Sequence, residues 1–245
     1  VPHGSVLGTM LFSLFVSPLS NVIQNHKDSL GLPFKFHQYA DDIQLYISAS
    51  TSNLTNQLAV LERCTNDVYQ WLSHNGLALN PSKSEAITFH NPHSKPQSSL
   101  SATCTNVVVA GANIIPSSSI KSLGVVLDSK LSLDKHITNI CRSCHYHIRA
   151  LRHVRRSLTL DAAKIASCSI VGARLDYCNA LFAGTTTSNI SKLQRVQNAL
   201  ARVIMQRSRY DHITPVLADL HWLPIKSRIT FKITVLTHKA RNLKQ

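Results

Sequence analysis

An α+β fold in two parts is what this sequence predicts, with strands and helices mixed over residues 1–130 and helices alone over 131–245. Three observations carry that reading. Apolar residues alternate with polar ones from Phe34 to Ile47, which is the two-residue period of half-buried strands. From Asp134 onward the apolar period lengthens to that of amphipathic helices. Charge divides near the same place: residues 1–120 hold 5 Lys and Arg against 6 Asp and Glu, whereas residues 121–245 hold 21 against 6.

The first part opens with a turn-forming stretch, Val1 to Ser5, and continues into apolar Val6 to Val16, read as a loop and a helix ending before Pro18. Phe34 and Phe36 lie before Asp41-Asp42, and Ile43, Leu45 and Ile47 after it, which predicts a hairpin with two carboxylates at its tip. Two adjacent acids repel, so a bound cation would compensate them; a solvated Asp-Asp turn is the alternative reading. Leu54, Leu58, Leu61, Val68, Trp71 and Leu72 fall at helical spacing, and Asn75-Gly76 supplies a left-handed stop. A strand over Glu85 to Phe89 follows, then a Ser-, Pro- and Asn-rich connection over 90–106. A hairpin spans Val107 to Ile115 around Gly111, and another strand region runs from Ile120 to Leu127. Gly124 there reads either as a bulge in a core strand or as a place where another backbone comes close.

In the second part Ile137, Ile140, Cys141, Cys144, Ile148, Leu151 and Val154 form one apolar stripe, with Arg142, Arg149, Arg152, Arg155 and Arg156 beside it. Further helices are predicted over Asp161–Leu175 and from Ile190 to about Met205, the latter bearing Lys192, Arg195 and Arg202, with Arg207 and Arg209 beyond it. A last helical segment lies within 221–245. The surplus of positive charge suits a polyanion, because each Lys or Arg near a phosphate releases a counterion; an anionic membrane surface is the weaker competitor. The longest apolar run, Val6 to Leu19, is interrupted by polar residues and shorter than the roughly 20 residues of a membrane span, so none is expected.

The six cysteines, Cys64, Cys104, Cys141, Cys144, Cys168 and Cys178, are scattered, which suits reduced thiols in an intracellular protein. Cys141 and Cys144, with His147 close by, have the spacing of half a zinc site, but they also fall on the apolar stripe, where buried structural cysteines are the alternative. The chain begins at Val1 without methionine or leader, so its true beginning is expected elsewhere.

Tyr39-Ala40-Asp41-Asp42 between two such strands resembles the catalytic hairpin of reverse transcriptases, and the surrounding blocks resemble LINE-type (non-LTR) retrotransposon polymerases. These are His3-Gly4-Ser5-Val6-Leu7-Gly8 before the hairpin, then Trp71-Leu72 through Asn80-Pro81-Ser82-Lys83-Ser84-Glu85, then Ile120 to Asp128. Leu175-Asp176-Tyr177-Cys178-Asn179, Leu193 to Asn198, and His221-Trp222-Leu223-Pro224 follow in the same order. The resemblance implies a partial polymerase palm over 1–130, an antiparallel sheet with packed helices, and a basic, helical, thumb-like or connection region over 131–245.

It also implies the chemistry. Nucleotidyl transfer would use two Mg²⁺ ions, with Mn²⁺ as a substitute, one activating the primer 3′-hydroxyl and one holding the triphosphate. Asp41 would ligate metal directly and Asp42 would support it. Gly4, Ser5, Tyr39 and Ala40 would face nucleotide and template, and Leu123 and Gly124 the primer. Lys83 would protonate the leaving pyrophosphate, or is a plain surface lysine. Arg142, Arg149, Arg152, Arg155, Lys192 and Arg195 would hold the nucleic-acid backbone. RNA template, DNA primer and dNTP are the implied partners, and no membrane.

The family's upstream Asp-bearing strand and fingers are not in these residues, and the resemblance leaves open whether an endonuclease accompanies the polymerase. The expectation is therefore a truncated polymerase inactive on its own. A non-catalytic nucleic-acid-binding remnant and a structural zinc protein are the competing readings.

Overall fold

The structure, a computed structural model, describes residues 7–28, 31–50, 52–89 and 106–242. Gly4 and Ser5 lie outside the described residues. The chain is α+β and divides into two compact units, with the main boundary at residues 118 and 119 and Phe89 grouped with the second unit. Among the described residues no helix is long and apolar enough to cross a membrane.

In the first unit, helix α1 (Gly8–Val16) stops at Ser17, whose hydroxyl donates to the Leu14 carbonyl, and Pro18 opens α2 (Leu19–Gln24). Strands β1 (Lys35–Tyr39) and β2 (Asp42–Tyr46) form an antiparallel hairpin in the register Phe36 opposite Leu45 and Tyr39 opposite Asp42. That register places Phe36, Gln38, Ile43 and Leu45 on one face and His37, Tyr39, Asp42 and Gln44 on the other. Phe36, Ile43 and Leu45 pack onto a core of Leu19, Ile23, Phe34, Cys64, Val68 and Leu72. The last three of these come from α3 (Leu54–His74).

Helix α3 ends as its sequence predicts. Gly76 adopts φ 71°, and the N–H groups of Gly76 and Leu77 return to the carbonyls of Ser73 and Leu72. The helix also holds β3 (Val107–Val109), because Glu62 accepts from the Val108 N–H at 3.0 Å and Thr65 donates to the Val108 carbonyl. Strand β4 (Ala112–Ile114) pairs with β3 across the turn Ala110-Gly111.

The predicted strand at Glu85–Phe89 is not one. These residues join no ladder, and Ala86 receives a single main-chain bond from Ser117. Their β-branched and aromatic side chains express a preference for extension, which does not supply a pairing partner. The antiparallel sheet expected over 1–130 is likewise present as three separate two-stranded hairpins among the described residues.

The second unit begins with the third hairpin, β5 (Ser119–Ser122) and β6 (Val125–Asp128), which packs with the helices that follow. Leu123 and Gly124 form its turn, at φ 45° and 82°, so Gly124 is a turn residue and not a bulge. Asp128 then organises the entry to α4 (Asp134–Val154), accepting from the N–H groups of Lys130, Ser132 and Leu133 and from the Ser132 hydroxyl. Burial would raise the Asp128 carboxyl, but those four bonds outweigh it and hold the group below the usual carboxylate range.

Helix α4 packs mainly on α7 (Thr187–Ile204), burying Ile137, Cys144, Ile148 and Leu151 against Leu193, Val196, Leu200 and Ile204. The single helix predicted over Asp161–Leu175 is interrupted. Helix α5 (Leu160–Ser167) passes through a π turn, Cys168–Gly172, into the short α6 (Ala173–Asp176). The Ser167 hydroxyl donates to the Lys164 carbonyl just before the wider turn. Helices α8 (Ile213–Asp219) and α9 (Ile225–Asn242) complete the unit.

Four of the sequence blocks bind one another here. Tyr177 donates to the Leu123 carbonyl at 2.6 Å, and its ring would lie 3.4 Å from a Cβ placed on Gly124. Asp176 takes both arms of the Arg228 guanidinium and the Asn179 amide. Buried Gln197 donates to the Leu223 carbonyl at 2.8 Å, while Gln194 accepts from the Ile225 N–H at 2.9 Å. Apart from the local Asp176–Asn179 bond, these pairs join residues 26 to 54 positions apart and form a polar frame for the helical core.

Candidate active site and nucleic-acid interface

The acidic pair stands where the hairpin turns. Ala40 and Asp41 form the two-residue connection, and Asp42 begins β2 directly opposite Tyr39. Ala40 takes φ 53°, a left-handed conformation that costs a side-chain-bearing residue about 1 kcal/mol. The packing of Phe36, Ile43 and Leu45 beneath holds that turn in place.

Asp41, Asp42 and Tyr39 are all exposed, and Asp42 lies on the polar face of the ribbon. Neither carboxylate has a hydrogen-bond or ion-pair partner among the described residues. Two adjacent hard-oxygen donors of this kind can hold a magnesium ion, which commonly takes one or two carboxylates and keeps its remaining waters. Among the described residues no third His, Cys, Asp or Glu converges with them.

Lys83 closes a short 3₁₀ turn, Pro81–Lys83, capped by Asn80, whose side-chain Oδ1 accepts from the Ser82 N–H and hydroxyl. It is exposed and makes no bond to either aspartate. Leu123 and Gly124 lie in the second unit, their turn held against Tyr177 as described above.

Of the backbone-binding candidates, Arg142, Arg149, Arg152 and Arg195 are exposed. Lys192 is half-buried and donates to the Asn189 side chain at 3.1 Å. Arg155 also has structural work: its Nε donates to the Ile204 carbonyl at 2.7 Å and its Nη1 to the Leu158 carbonyl at 2.9 Å, tying the ends of α4 and α7 together.

Cys144 is fully buried in the helical core and Cys141 packs beside it. Burial first, and then the neighbouring Cys141, pushes the Cys144 thiol up to about 11, so at neutral pH it is a packing group. The two cysteines belong to no cluster of three or more potential metal ligands among the described residues.

What sequence reasoning did not assemble is an arginine-lined groove. Arg152, Arg155 and Arg156 at the end of α4 meet Arg202, Arg207 and Arg209 around the end of α7. Each set was visible as a run of charge; nothing in the linear spacing said that the two would face one space.

Comparison with known proteins bears on the site. A family profile described as reverse transcriptase (RNA-dependent DNA polymerase) matches residues 1–127. The chain is similar to a probable RNA-directed DNA polymerase from transposon BS of Drosophila melanogaster, at 27% identity over 94% of this chain and 25% of the relative. It is also similar to the RNA-directed DNA polymerase from the mobile element jockey of Drosophila funebris, at 27% identity over 90% of this chain and 23% of the relative. A probable RNA-directed DNA polymerase from transposon X-element of Drosophila melanogaster is 23% identical over 83% and 21% respectively. The chain thus spans about a quarter of the length of these relatives. No solved structure matches it significantly.

Proposed function

This chain belongs to the reverse transcriptase (RNA-dependent DNA polymerase) family, and from that premise we propose that it supplies the catalytic hairpin of the palm, and the thumb, of a LINE-type retrotransposon polymerase. The observation that carries the reading is Tyr39-Ala40-Asp41-Asp42 at the tip of a two-residue hairpin turn, with both carboxylates exposed and unpaired among the described residues.

Asp41 and Asp42 are the residues that would hold Mg²⁺ or Mn²⁺. When bound, two such ions acidify the primer 3′-hydroxyl and neutralise the triphosphate and its leaving group. Asp41, in the connection itself, ligates directly; Asp42, fixed by its pairing with Tyr39, orients and supplements it. Tyr39 and Ala40 border the nucleotide and template. Lys83 donates a proton to the departing pyrophosphate. Exposed Arg142, Arg149, Arg152 and Arg195 engage phosphates of the RNA template and DNA primer, and the dNTP is the second substrate.

Two-metal chemistry would draw carboxylates from more than one strand, and no third acid joins Asp41 and Asp42 among the described residues, so the site would need a further strand to complete it. Primer extension on poly(rA)·oligo(dT) with Mg²⁺ tests this. A polymerase-length protein containing these 245 residues incorporates dTTP, and the isolated chain does not. Incorporation by the isolated chain that Asp41→Asn abolishes would show the hairpin to be sufficient and overturn that part of the reading. No incorporation by the longer protein would overturn the polymerase assignment.

A further inference from the structure

We propose that the helical unit carries a groove for single-stranded nucleic acid, in which arginines take successive phosphates and Tyr210 stacks an unpaired base. The groove has a volume of about 570 Å³ and lies between the end of α4 and the end of α7. Arg152, Arg155, Arg156, Arg202, Arg207 and Arg209 line it, the remaining lining residues are Ala199, Val203 and Gln206, and no carboxylate is among them. Asp211, whose main-chain carbonyl accepts from Arg202, has its carboxylate accepting from the Ser208 N–H.

Helix C-termini attract arginine, and that accounts for part of the cluster. Arg155 satisfies the carbonyls of Ile204 and Leu158, and Arg202 donates to the Asp211 carbonyl. These bonds fix two guanidinium groups in place and leave donors over; the Nε of Arg202 is buried without a partner among the described residues. Arg152, Arg156, Arg207 and Arg209 are exposed and are not required by either helix end. Six like charges around one space repel, and a chain of phosphates relieves that repulsion while releasing its own counterions.

Size and the aromatic ring beside Arg209 choose the form of nucleic acid. A space of this volume admits one or two nucleotides, and the body of a duplex is too wide to enter it. Tyr210 is 79% exposed, with the Arg209 guanidinium 4.6 Å from its ring centroid. A tyrosine so placed is a platform for a base with no pairing partner. The choice of nucleic acid over other polyanions rests on the proposed function; the groove itself does not.

Fluorescence anisotropy of the 245-residue chain with 5′-fluorescein-labelled (rU)₁₂, in EDTA, tests the proposal. Binding is expected, and a 12-base-pair RNA–DNA hybrid, held through the exposed arginines outside the groove, is the control. Arg156→Gln combined with Arg207→Gln should weaken (rU)₁₂ binding at least about tenfold and flatten the dependence of log K on log salt by about one to two. Tyr210→Ala should weaken it about five- to tenfold with the salt slope unchanged. All three positions are exposed, and circular dichroism melting verifies that the variants fold.

Wild-type affinity for (rU)₁₂ in the arginine variant, an equal fall in its affinity for the hybrid, or equal competition by polyglutamate would overturn the proposal. Because EDTA removes any contribution from metal at Asp41 and Asp42, failure here leaves the polymerase reading intact. Failure of primer extension likewise leaves the groove intact.

Discussion

Asp41→Asn, introduced into a polymerase-length protein carrying this segment, is expected to lower primer extension by about a thousand-fold or more and to leave thermal stability unchanged. An amide of the same shape keeps the two-residue turn, since Asp41 has no hydrogen-bond or ion-pair partner among the described residues to lose. Its exposed position limits the effect on folding to about 0.5 kcal/mol, and removing one of two adjacent negative charges acts in the stabilising direction. On the proposed function, what the variant removes is a carboxylate that would hold the cation facing the negative charge developed during phosphoryl transfer. Loss of one such preorganised electrostatic contact costs on the order of 10²–10³ in rate, and direct metal ligation belongs at or above the top of that range. Asp42→Asn should cost less, because that residue is assigned the supporting role. Incorporation kinetics beside a calorimetric melt separate the two effects, and a large fall in melting temperature with Asp41→Asn would mean that the pair is structural.

The largest stability effect is expected at Gln197. This side chain is 1% exposed, donates to the Leu223 carbonyl and accepts from the Gln194 amide. Gln197→Leu preserves volume and takes the hydrogen-bond partner from the Leu223 carbonyl and from the Gln194 amide, a loss of about 1–2 kcal/mol. For a unit of this size that corresponds to a fall of roughly 5–10 °C in melting temperature. Arg195→Leu, two residues away on the exposed side of the same helix, should change stability by no more than about 0.5 kcal/mol. Scanning calorimetry of the two variants makes the comparison; equal effects would remove Gln197 from the frame that holds the segment around Leu223.

The contrast between those residues shows what was legible in the sequence. The acidic hairpin, α3 and its Gly76 stop, and the stripes of α4 and α7 follow from local patterns, because an alternation of two or a period of 3.6 directly reports which face is buried. Glu85–Phe89 misled because β-preference is local whereas pairing is not. The break in the predicted helix over Asp161–Leu175 was hidden because a π turn alters register without altering helical composition.

At the site, Asp41 and Asp42 could be named from their neighbours. The clamp of Tyr177 on the Leu123-Gly124 turn joins residues 54 apart and leaves no periodic trace. The arginine groove was invisible for the same reason. Each basic run reads as a solvated helix end, and only the packing of α4 on α7 brings the two runs together.

Binding of Mn²⁺ to the isotope-labelled 245-residue chain, followed by paramagnetic broadening of backbone amide signals, tests most directly whether the acidic turn is a metal site. Selective broadening of Tyr39 through Ile43, reversed by EDTA and lost in Asp41→Asn, is the predicted result. Broadening centred elsewhere, or persisting unchanged in Asp41→Asn, would contradict the account.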